Sequence, residues 1–308
     1  MAQKDSFHPK KVVVPGYLID EYVLVEDPAT EHKQTPSELF SPVFAGNIRT
    51  PKVSIKQIPL DIRKIIGRRA VQELEKKAVV NLGIGIPGDV IGNIATEEGM
   101  GQDIVLTLES GIVGGTAVGK NEFGVARNAD AIIEHEYLFD YYHGTGIDIT
   151  FMGAAEVDQF GNVNVSKFNG RAIGCGGFID DGRLEILQEG KVSKFIDQVQ
   201  QITFSGVYAS NHSKNVMYVT ERAVFILTKD GLELTEIAPG IDLQRDILDL
   251  MSFKPIISNK CVYYSIARHY YSINSYSYCH HCIAANTCME TTASILMFPV
   301  LLNPTKVR

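Results

Sequence analysis

A strand, a glycine-rich turn and a helix follow one another in AVVNLGIGIPGDVIGNIA, residues 78–95, and this order restricts the fold more than any other feature. Gly83, Gly85 and Gly88 form a G-x-G-x-x-G pattern between an apolar run and a helical pattern. A second apolar run, DIVLTL, follows and ends at Glu109. Strands that alternate with helices pair in parallel, so the first half of the chain predicts a parallel α/β sheet.

Three interpretations of the glycine loop are open from this local pattern. In a dinucleotide-binding fold the glycines contact pyrophosphate, and an acid about 20 residues on binds the ribose, a spacing that Glu109 satisfies. Backbone amides at a helix start also bind other anions, because their N–H groups lack partners there. A tight turn without any ligand is the third interpretation. Pro87 counts against pyrophosphate, because its nitrogen has no hydrogen to donate.

Glu109 is predicted to lie at the carboxyl end of a parallel strand, where α/β sheets place their ligands. The following SGIVGG, residues 110–115, is rich in glycine and lets other backbone approach the carboxylate closely. An acid that only caps the next turn is the simpler alternative. A carboxylate differs from a serine in needing no general base to act as a nucleophile, so Glu109 is also a candidate for covalent catalysis.

The composition excludes several classes of protein. The 308 residues are 45% hydrophobic and 21% charged with a net charge of -7, which is typical of a globular protein without a nucleic-acid groove. No apolar run approaches the length of a membrane span. The five cysteines, four of them in the last 48 residues, do not resemble a disulfide framework. The CHHC at 279–282 lacks a second ligand pair at zinc-finger spacing, so no metal site is predicted.

Three regions are expected along the chain. Residues 1–57 are proline-rich and read as an extended segment, and residues 58–257 read as the α/β domain. The second half of that domain favours antiparallel strands, with a turn at KDG, residues 229–231. Residues 258–308 are rich in Tyr, Ser, Cys and His without a stable period, so this tail is expected to be disordered.

Blocks spread over residues 7–257 resemble the family I CoA-transferases, in particular acetate or propionate CoA-transferases that fuse both subunits in one chain. The similarity is to the C-terminal, beta-subunit-like half. The blocks that carry it are HPKKVVVPGYLIDEYVLV, EHKQT, GNIRTP, LDIRKIIGRRAVQEL, NLGIGIPGDV, LESGIVGG, GCGGFID, VQQITFSG, TERAVF and LTEIAPGIDL.

The resemblance implies roles for the residues already singled out. It implies that Glu109, the glutamate of an E-x-G signature completed by Gly111, is a nucleophile that forms a glutamyl-CoA thioester. It implies that the G-x-G-x-P loop, Gly83, Gly85 and Pro87, lines the CoA side of the site. The loop at Gly176 and Gly177 resembles the one that supplies an oxyanion amide. The implied reaction is ping-pong transfer of CoA between a short-chain acyl-CoA and a carboxylate of the acetate, propionate or 3-oxoacid type.

The chain departs from the family pattern at three places. The N-terminal half is expected to be absent, a strand and turn are expected to be missing after Asp180, and the similarity ends near residue 257. A catalytically incompetent fragment, or a half that needs a separate N-terminal half, is therefore the alternative function, and an NAD(P)-dependent dehydrogenase is a more distant one.

The resemblance also implies the partners, the cofactor requirement and the cellular compartment. The expected partners are acyl-CoA and short-chain carboxylates, with a homo-oligomer if the chain is competent, and neither nucleic acid nor membrane. No cofactor is expected, because CoA thioesters are the substrates. The expected compartment is the cytoplasm, with the mitochondrion as the alternative if a targeting segment has been lost.

Overall fold

The computed structural model describes residues 6–51, 57–144, 146–168, 171–172, 193–263 and 293–297. The helices of this part are α1 Pro28–Glu31, α2 Ile62–Ala70, α3 Gly92–Glu97, α4 His135–His143, α5 Gly206–Asn211 and α6 Leu243–Asp246. Its strands are β1 Val79–Leu82, β2 Val105–Leu108, β3 Ile112–Val113, β4 Thr116–Ala117, β5 Ala126–Arg127, β6 Ala131–Ile132, β7 Ile149–Gly153, β8 Glu156–Asp158, β9 Val163–Asn164, β10 Lys167–Phe168, β11 Arg171–Ala172, β12 Phe195–Ile196, β13 Val216–Val219, β14 Ala223–Thr228, β15 Gly231–Ile237, β16 Ile256–Tyr263 and β17 Ala293–Met297.

A ten-stranded sheet organises the larger part of the chain, in the order β16-β15-β14-β13-β17-β7-β1-β2-β3-β6. Its middle, from β13 through β17, β7 and β1 to β2, is parallel throughout. β13, β14 and β15 form an antiparallel meander, and β2, β3 and β6 form another. The prediction of a mostly parallel α/β sheet flanked by helices, with antiparallel strands in the second half, is confirmed.

Two compact units divide the chain, Met1–Ser41 and Pro42–Arg308. The first contains α1, where the Asp27 carboxylate accepts a hydrogen bond from the Ala29 amide at 3.1 Å. Thr35 is the one buried residue among the described residues 6–41. The described residues of this unit therefore form no hydrophobic core of their own. The predicted boundaries after residues 57 and 257 stay predictions.

The apolar stripe of residues 58–78 predicts a helix that starts near Pro59, but α2 begins at Ile62. Asp61 sets this start, because its carboxylate accepts a hydrogen bond from the Lys64 amide at 3.0 Å and so caps the helix. At the other end, buried Arg69 forms two hydrogen bonds of 2.5 and 2.6 Å with the Glu236 carboxylate. The paired guanidinium and carboxylate fasten α2 to β15.

The tail contains two strands of the sheet, β16 and β17, so the expectation of disorder does not hold for these segments. β17 lies between β7 and β13, with its residues 295–297 buried. Ile295 and Met297 join one hydrophobic core and Leu296 joins the other, as the two-residue period of a strand requires. The tail therefore supplies an interior strand of the sheet.

Candidate active site

The glycine loop joins the carboxyl end of β1 to the helical turn that continues into α3, as the sequence predicted. The Gly83 amide donates to the Phe151 carbonyl at 2.7 Å, and the Gly88 and Asp89 amides donate to the carbonyls of Gly83 and Gly85 at 2.9 and 2.8 Å. These bonds hold the loop in one conformation but also occupy three of its amides. The loop therefore offers an anion fewer free backbone N–H groups than the G-x-G-x-x-G pattern implies.

Gly85 marks the turn of this loop. Its φ of +87° lies in the left-handed region, and a side chain there would meet no atom within 4 Å. Glycine is required at this position because of the backbone conformation, since a side chain would have enough space. The exposed position leaves open room above the loop.

Glu109 directly follows β2, and its side chain is exposed. β1 and β2 are parallel neighbours with Asn81 opposite Thr107. Gly83 directly follows β1 and Glu109 directly follows β2, so both residues leave the sheet at the same carboxyl edge. Adjacent strands lie about 4.8 Å apart, so the glycine loop and the turn that carries Glu109 begin at neighbouring positions of this edge.

Gly111 holds the turn after Glu109 in a conformation that no other residue fits. Its φ is +102°, and a Cβ atom there would collide with the Ile133 carbonyl oxygen. The Gly111 amide donates to the Leu108 carbonyl at 3.0 Å, and the Ile133 amide donates back to the Gly111 carbonyl at 2.9 Å. The turn that presents Glu109 is thus fastened to β2 on one side and to the segment after β6 on the other.

We expect Gly111→Ala to destabilise the protein by about 3 kcal/mol or more, because the added methyl meets fixed backbone in a left-handed conformation. Gly99→Ala is the matched control: Gly99 has a φ of +80° but open space around it, so only the backbone cost of about 1 kcal/mol applies. Urea unfolding of both variants measures the difference. Equal losses would show that the contact with Ile133 is relieved cheaply.

A second loop, residues 119–124, connects the two candidate loops. The Ser110 hydroxyl donates to the Gly124 carbonyl at 2.6 Å. Asp89 accepts hydrogen bonds from the Lys120 amide at 2.5 Å and from the Arg63 guanidinium at 2.9 Å. Burial raises the pKa of Asp89, and the Lys120 amide and Arg63 charge oppose this. The glycine loop, the Glu109 turn and the start of α2 are thereby joined in one hydrogen-bonded network.

Tyr142 on α4 is hydrogen-bonded to β2 close to the candidate site, although its local sequence does not indicate a role there. Its hydroxyl donates to the Thr107 hydroxyl at 2.8 Å, which donates in turn to the Val80 carbonyl at 2.8 Å. Burial raises the pKa of Tyr142 to about 12, and the negative charge of Glu109 adds to the effect. No local sequence pattern indicates this residue, because the contact joins positions 35 apart in the chain.

Tyr142→Phe is expected to lower the free energy of unfolding by about 1 kcal/mol near pH 8, through loss of the hydrogen bond to Thr107. Tyrosine ordinarily ionises near pH 10. Because the folded state holds the phenolic proton more tightly, the stabilisation is complete below pH 10 and is lost as the pH rises towards about 12. The variant should therefore show a shallower decline in stability over this range. Denaturant unfolding at several pH values tests it, with exposed Tyr137→Phe on the same helix as the control.

Several sequence predictions fall outside the described residues. Gly176 and Gly177, the predicted oxyanion loop, lie there, and so does the CHHC at 279–282. Within the described residues, no cluster of three or more His, Cys, Asp or Glu side chains is arranged to hold a metal ion. No helix in that same part of the chain is long and apolar enough to cross a membrane.

The fold is that of an α/β protein, and its candidate site lies at the carboxyl ends of the adjacent parallel strands β1 and β2. The family profile described as "Coenzyme A transferase" matches residues 64–227. The chain is 44% identical over 282 residues to the acetate CoA-transferase YdiF of Escherichia coli O157:H7, and 42% identical over 285 residues to the caffeate CoA-transferase of Acetobacterium woodii. The chain belongs to the coenzyme A transferase family, as the resemblance implied.

The structures agree with this membership. The crystal structure of the YdiF apoenzyme from E. coli O157:H7 matches with a TM-score of 0.67 at 41% identity, covering 86% of this chain and 53% of that one. A YdiF structure described as a thioester complex with CoA matches with a TM-score of 0.63, also at 41% identity, and with the same coverage of both chains.

The relatives differ in how much of their length is matched. The YdiF alignment covers 84% of this chain and 52% of the relative, and the caffeate CoA-transferase alignment covers 83% and 54%. The acetate CoA-transferase subunit beta of E. coli K12 is 30% identical, with 60% of this chain and 89% of that subunit covered. The chain therefore spans about half the length of the long relatives and most of the length of a separate beta subunit.

Proposed function

We propose that this chain supplies the catalytic glutamate of a CoA-transferase, and that Glu109 carries CoA as a glutamyl thioester. The observation that supports the proposal is the parallel pairing of β1 and β2, because the glycine loop and the exposed Glu109 follow the carboxyl ends of these two neighbouring strands. The YdiF structure described as a thioester complex with CoA supports this chemistry for the family.

The proposed reaction proceeds in two balanced halves. A Glu109 oxygen attacks the acyl-CoA carbonyl carbon, the carbon–sulfur bond breaks, and an acyl-glutamyl anhydride and CoA thiolate result. The thiolate then attacks the glutamyl carbonyl, which releases the first carboxylate and leaves the glutamyl-CoA thioester. An acceptor carboxylate reverses the two steps and departs as the new acyl-CoA. The scheme needs neither a redox change nor a general base, and it predicts ping-pong kinetics.

Each tetrahedral intermediate carries an oxyanion that must be stabilised. We assign this task to backbone amides near Gly176 and Gly177, on the family resemblance. One such donor is worth about 3 kcal/mol of transition-state stabilisation in other enzymes. The glycine loop at Gly83, Gly85 and Pro87 would line the CoA side of the site. No cofactor enters the scheme, since the CoA thioesters are themselves substrates.

The substrates follow from the relatives only as a class. We propose a short-chain acyl-CoA and a carboxylate of the acetate, propionate or 3-oxoacid type. Similar identity to an acetate and to a caffeate CoA-transferase means that overall similarity does not select the acyl group. We further propose that the competent enzyme is a homo-oligomer in the cytoplasm.

A second candidate function is a half that acts only with a complementary N-terminal half. The extent of the long relatives favours it, because the chain matches about half of their length. The exposure of Glu109 agrees, since the thioester chemistry requires a wall that excludes water.

Mass spectrometry of the intact chain after incubation with acetyl-CoA or propionyl-CoA, followed by borohydride, separates these candidates. A CoA adduct at Glu109, or its reduced product, in the chain alone supports the complete enzyme. An adduct that forms only after an N-terminal half is added supports the second candidate. Absence of the adduct in both preparations would contradict the proposed catalytic role of Glu109.

A further inference from the structure

The tip of one hairpin contacts both loops of the candidate site. Strands β4 and β5 pair in antiparallel fashion, and residues 119–124 between them are here called the brace. At one end of the brace the Lys120 amide donates to the Asp89 carboxylate at 2.5 Å. At the other end the Gly124 carbonyl accepts a hydrogen bond from the Ser110 hydroxyl at 2.6 Å. The brace therefore connects the end of the glycine loop to the turn that carries the proposed nucleophile.

Close packing adds to these hydrogen bonds. A Cβ atom at Gly88, the third glycine of the G-x-G-x-x-G pattern, would lie 2.6 Å from the Phe123 ring. A Cβ atom at Gly119 would lie 2.5 Å from the Asp89 Cα atom. One glycine on each side thus lets the brace lie directly on the glycine loop. Gly88 therefore has a packing role that the sequence pattern by itself does not reveal.

The backbone of the brace is held in an unfavourable conformation. Lys120 has a φ of +58°, in the left-handed region that residues other than glycine rarely occupy. The Asp89 carboxylate accepts its hydrogen bond from the amide of this same residue. Strained backbone persists only where surrounding contacts fix it, and it is concentrated at sites that need a preset geometry. The conformation of Lys120 therefore indicates that the place of the brace matters for the neighbouring site.

Ser110 is the link between the brace and the proposed nucleophile. It directly follows Glu109, and Gly111 after it is hydrogen-bonded to β2 and to the segment after β6. The Ser110 side chain is exposed, yet its hydroxyl donates to the brace. Removing this hydroxyl would release the turn from the brace, while the hydrogen bonds of Gly111 would keep it attached to the sheet.

We propose that Ser110 is a positioning residue, which acts through the brace to hold Glu109 at a fixed place relative to the glycine loop. This rests on the proposed function, in which the glycine loop lines the CoA side of the site. A nucleophile displaced by about 1 Å can lose about a hundredfold in rate, so a hydrogen bond next to it affects the chemical step strongly. The hydroxyl makes no bond to the substrate, so substrate binding depends on it little.

The test compares Ser110→Ala with Ser110→Thr, in the chain or in its complex with the complementary half, whichever is active. At saturating acetyl-CoA, Ser110→Ala should form the glutamyl-CoA adduct at least about tenfold more slowly than the wild type, with a half-saturating concentration within about twofold. Ser110→Thr keeps the hydroxyl, and the exposed position has room for its methyl group. Its rate should therefore stay within about twofold of the wild type.

Ser210→Ala is the matched control. The Ser210 hydroxyl also donates to a backbone carbonyl, that of Thr228 at 3.4 Å, and joins α5 to β14. Four strands separate β14 from β2 in the sheet, so this variant should form the adduct at the wild-type rate. Phe123→Ala, which removes the packing of the brace on Gly88, should slow the adduct as Ser110→Ala does. The double variant should be no slower than the slower single variant, because both changes break the same connection.

Hydrogen–deuterium exchange measures the brace without any catalysis. Ser110→Ala should speed the exchange of the amides of residues 119–124 by roughly threefold or more, and Ser210→Ala should not. A wild-type adduct rate in Ser110→Ala, no recovery in Ser110→Thr, or unchanged exchange would overturn the proposal. If the wild-type protein forms no adduct, the proposed function fails, and the exchange result then supports or overturns the role of Ser110 by itself.

Discussion

Glu109→Ala is expected to abolish CoA transfer, with a loss of at least about a thousandfold, because it removes the carboxylate on which the proposed thioester forms. Glu109→Asp should lose about a hundredfold or more, since one methylene less moves the nucleophile by about 1 Å from the thioester carbon. Steady-state transfer between acetyl-CoA and propionate measures both, in the chain or its complex with the complementary half, whichever is active.

Glu136→Ala provides the matched control for this experiment. Glu136 is an exposed glutamate on α4, in the helix that also carries Tyr142, but it takes no part in the proposed reaction. Its activity should stay within about twofold of the wild type. Transfer by Glu109→Ala at the wild-type rate, or a CoA adduct on another residue of that variant, would refute the assignment of the nucleophile.

The second large effect concerns β17. Ending the chain after Tyr263 should abolish cooperative unfolding, because it removes an interior strand, buried at residues 295–297, from the parallel middle of the sheet. The facing edges of β7 and β13 would then lose their hydrogen-bond partners and expose their apolar side chains. Circular dichroism during urea unfolding, together with sedimentation velocity, measures the loss of the transition and the aggregation expected to accompany it.

A graded variant keeps this prediction testable if the shortened chain fails to fold. Leu296 is 4% exposed, so Leu296→Ala should cost about 2–5 kcal/mol through the cavity that it leaves. Val262 on the edge strand β16 is 52% exposed, and Val262→Ala should change stability by less than about 0.5 kcal/mol. Equal effects of the two substitutions would mean that β17 does not occupy the sheet interior in solution.

The site illustrates which contacts a sequence reveals. The glycine loop and Glu109 were recognisable because each follows an apolar run that is long enough to read as a strand. Their proximity follows from parallel pairing, which places the carboxyl ends of strands at one edge. Tyr142 was not recognisable, because its hydrogen bond to Thr107 depends on where α4 packs after several turns and short strands.

The sequence by itself determined the features that depend on neighbouring residues: the strand and glycine turn at Gly83, the KDG turn and the position of Glu109 at a strand end. Local hydrogen bonds and side-chain periodicity specify such features. Only the tertiary structure decided that Ala293–Met297 is an interior strand. A five-residue apolar run becomes a strand here by pairing with the edges of β7 and β13. Both of these strands lie more than 70 residues away along the chain. Pairing across such a distance depends on the assembled sheet, and no local pattern in the tail encodes it.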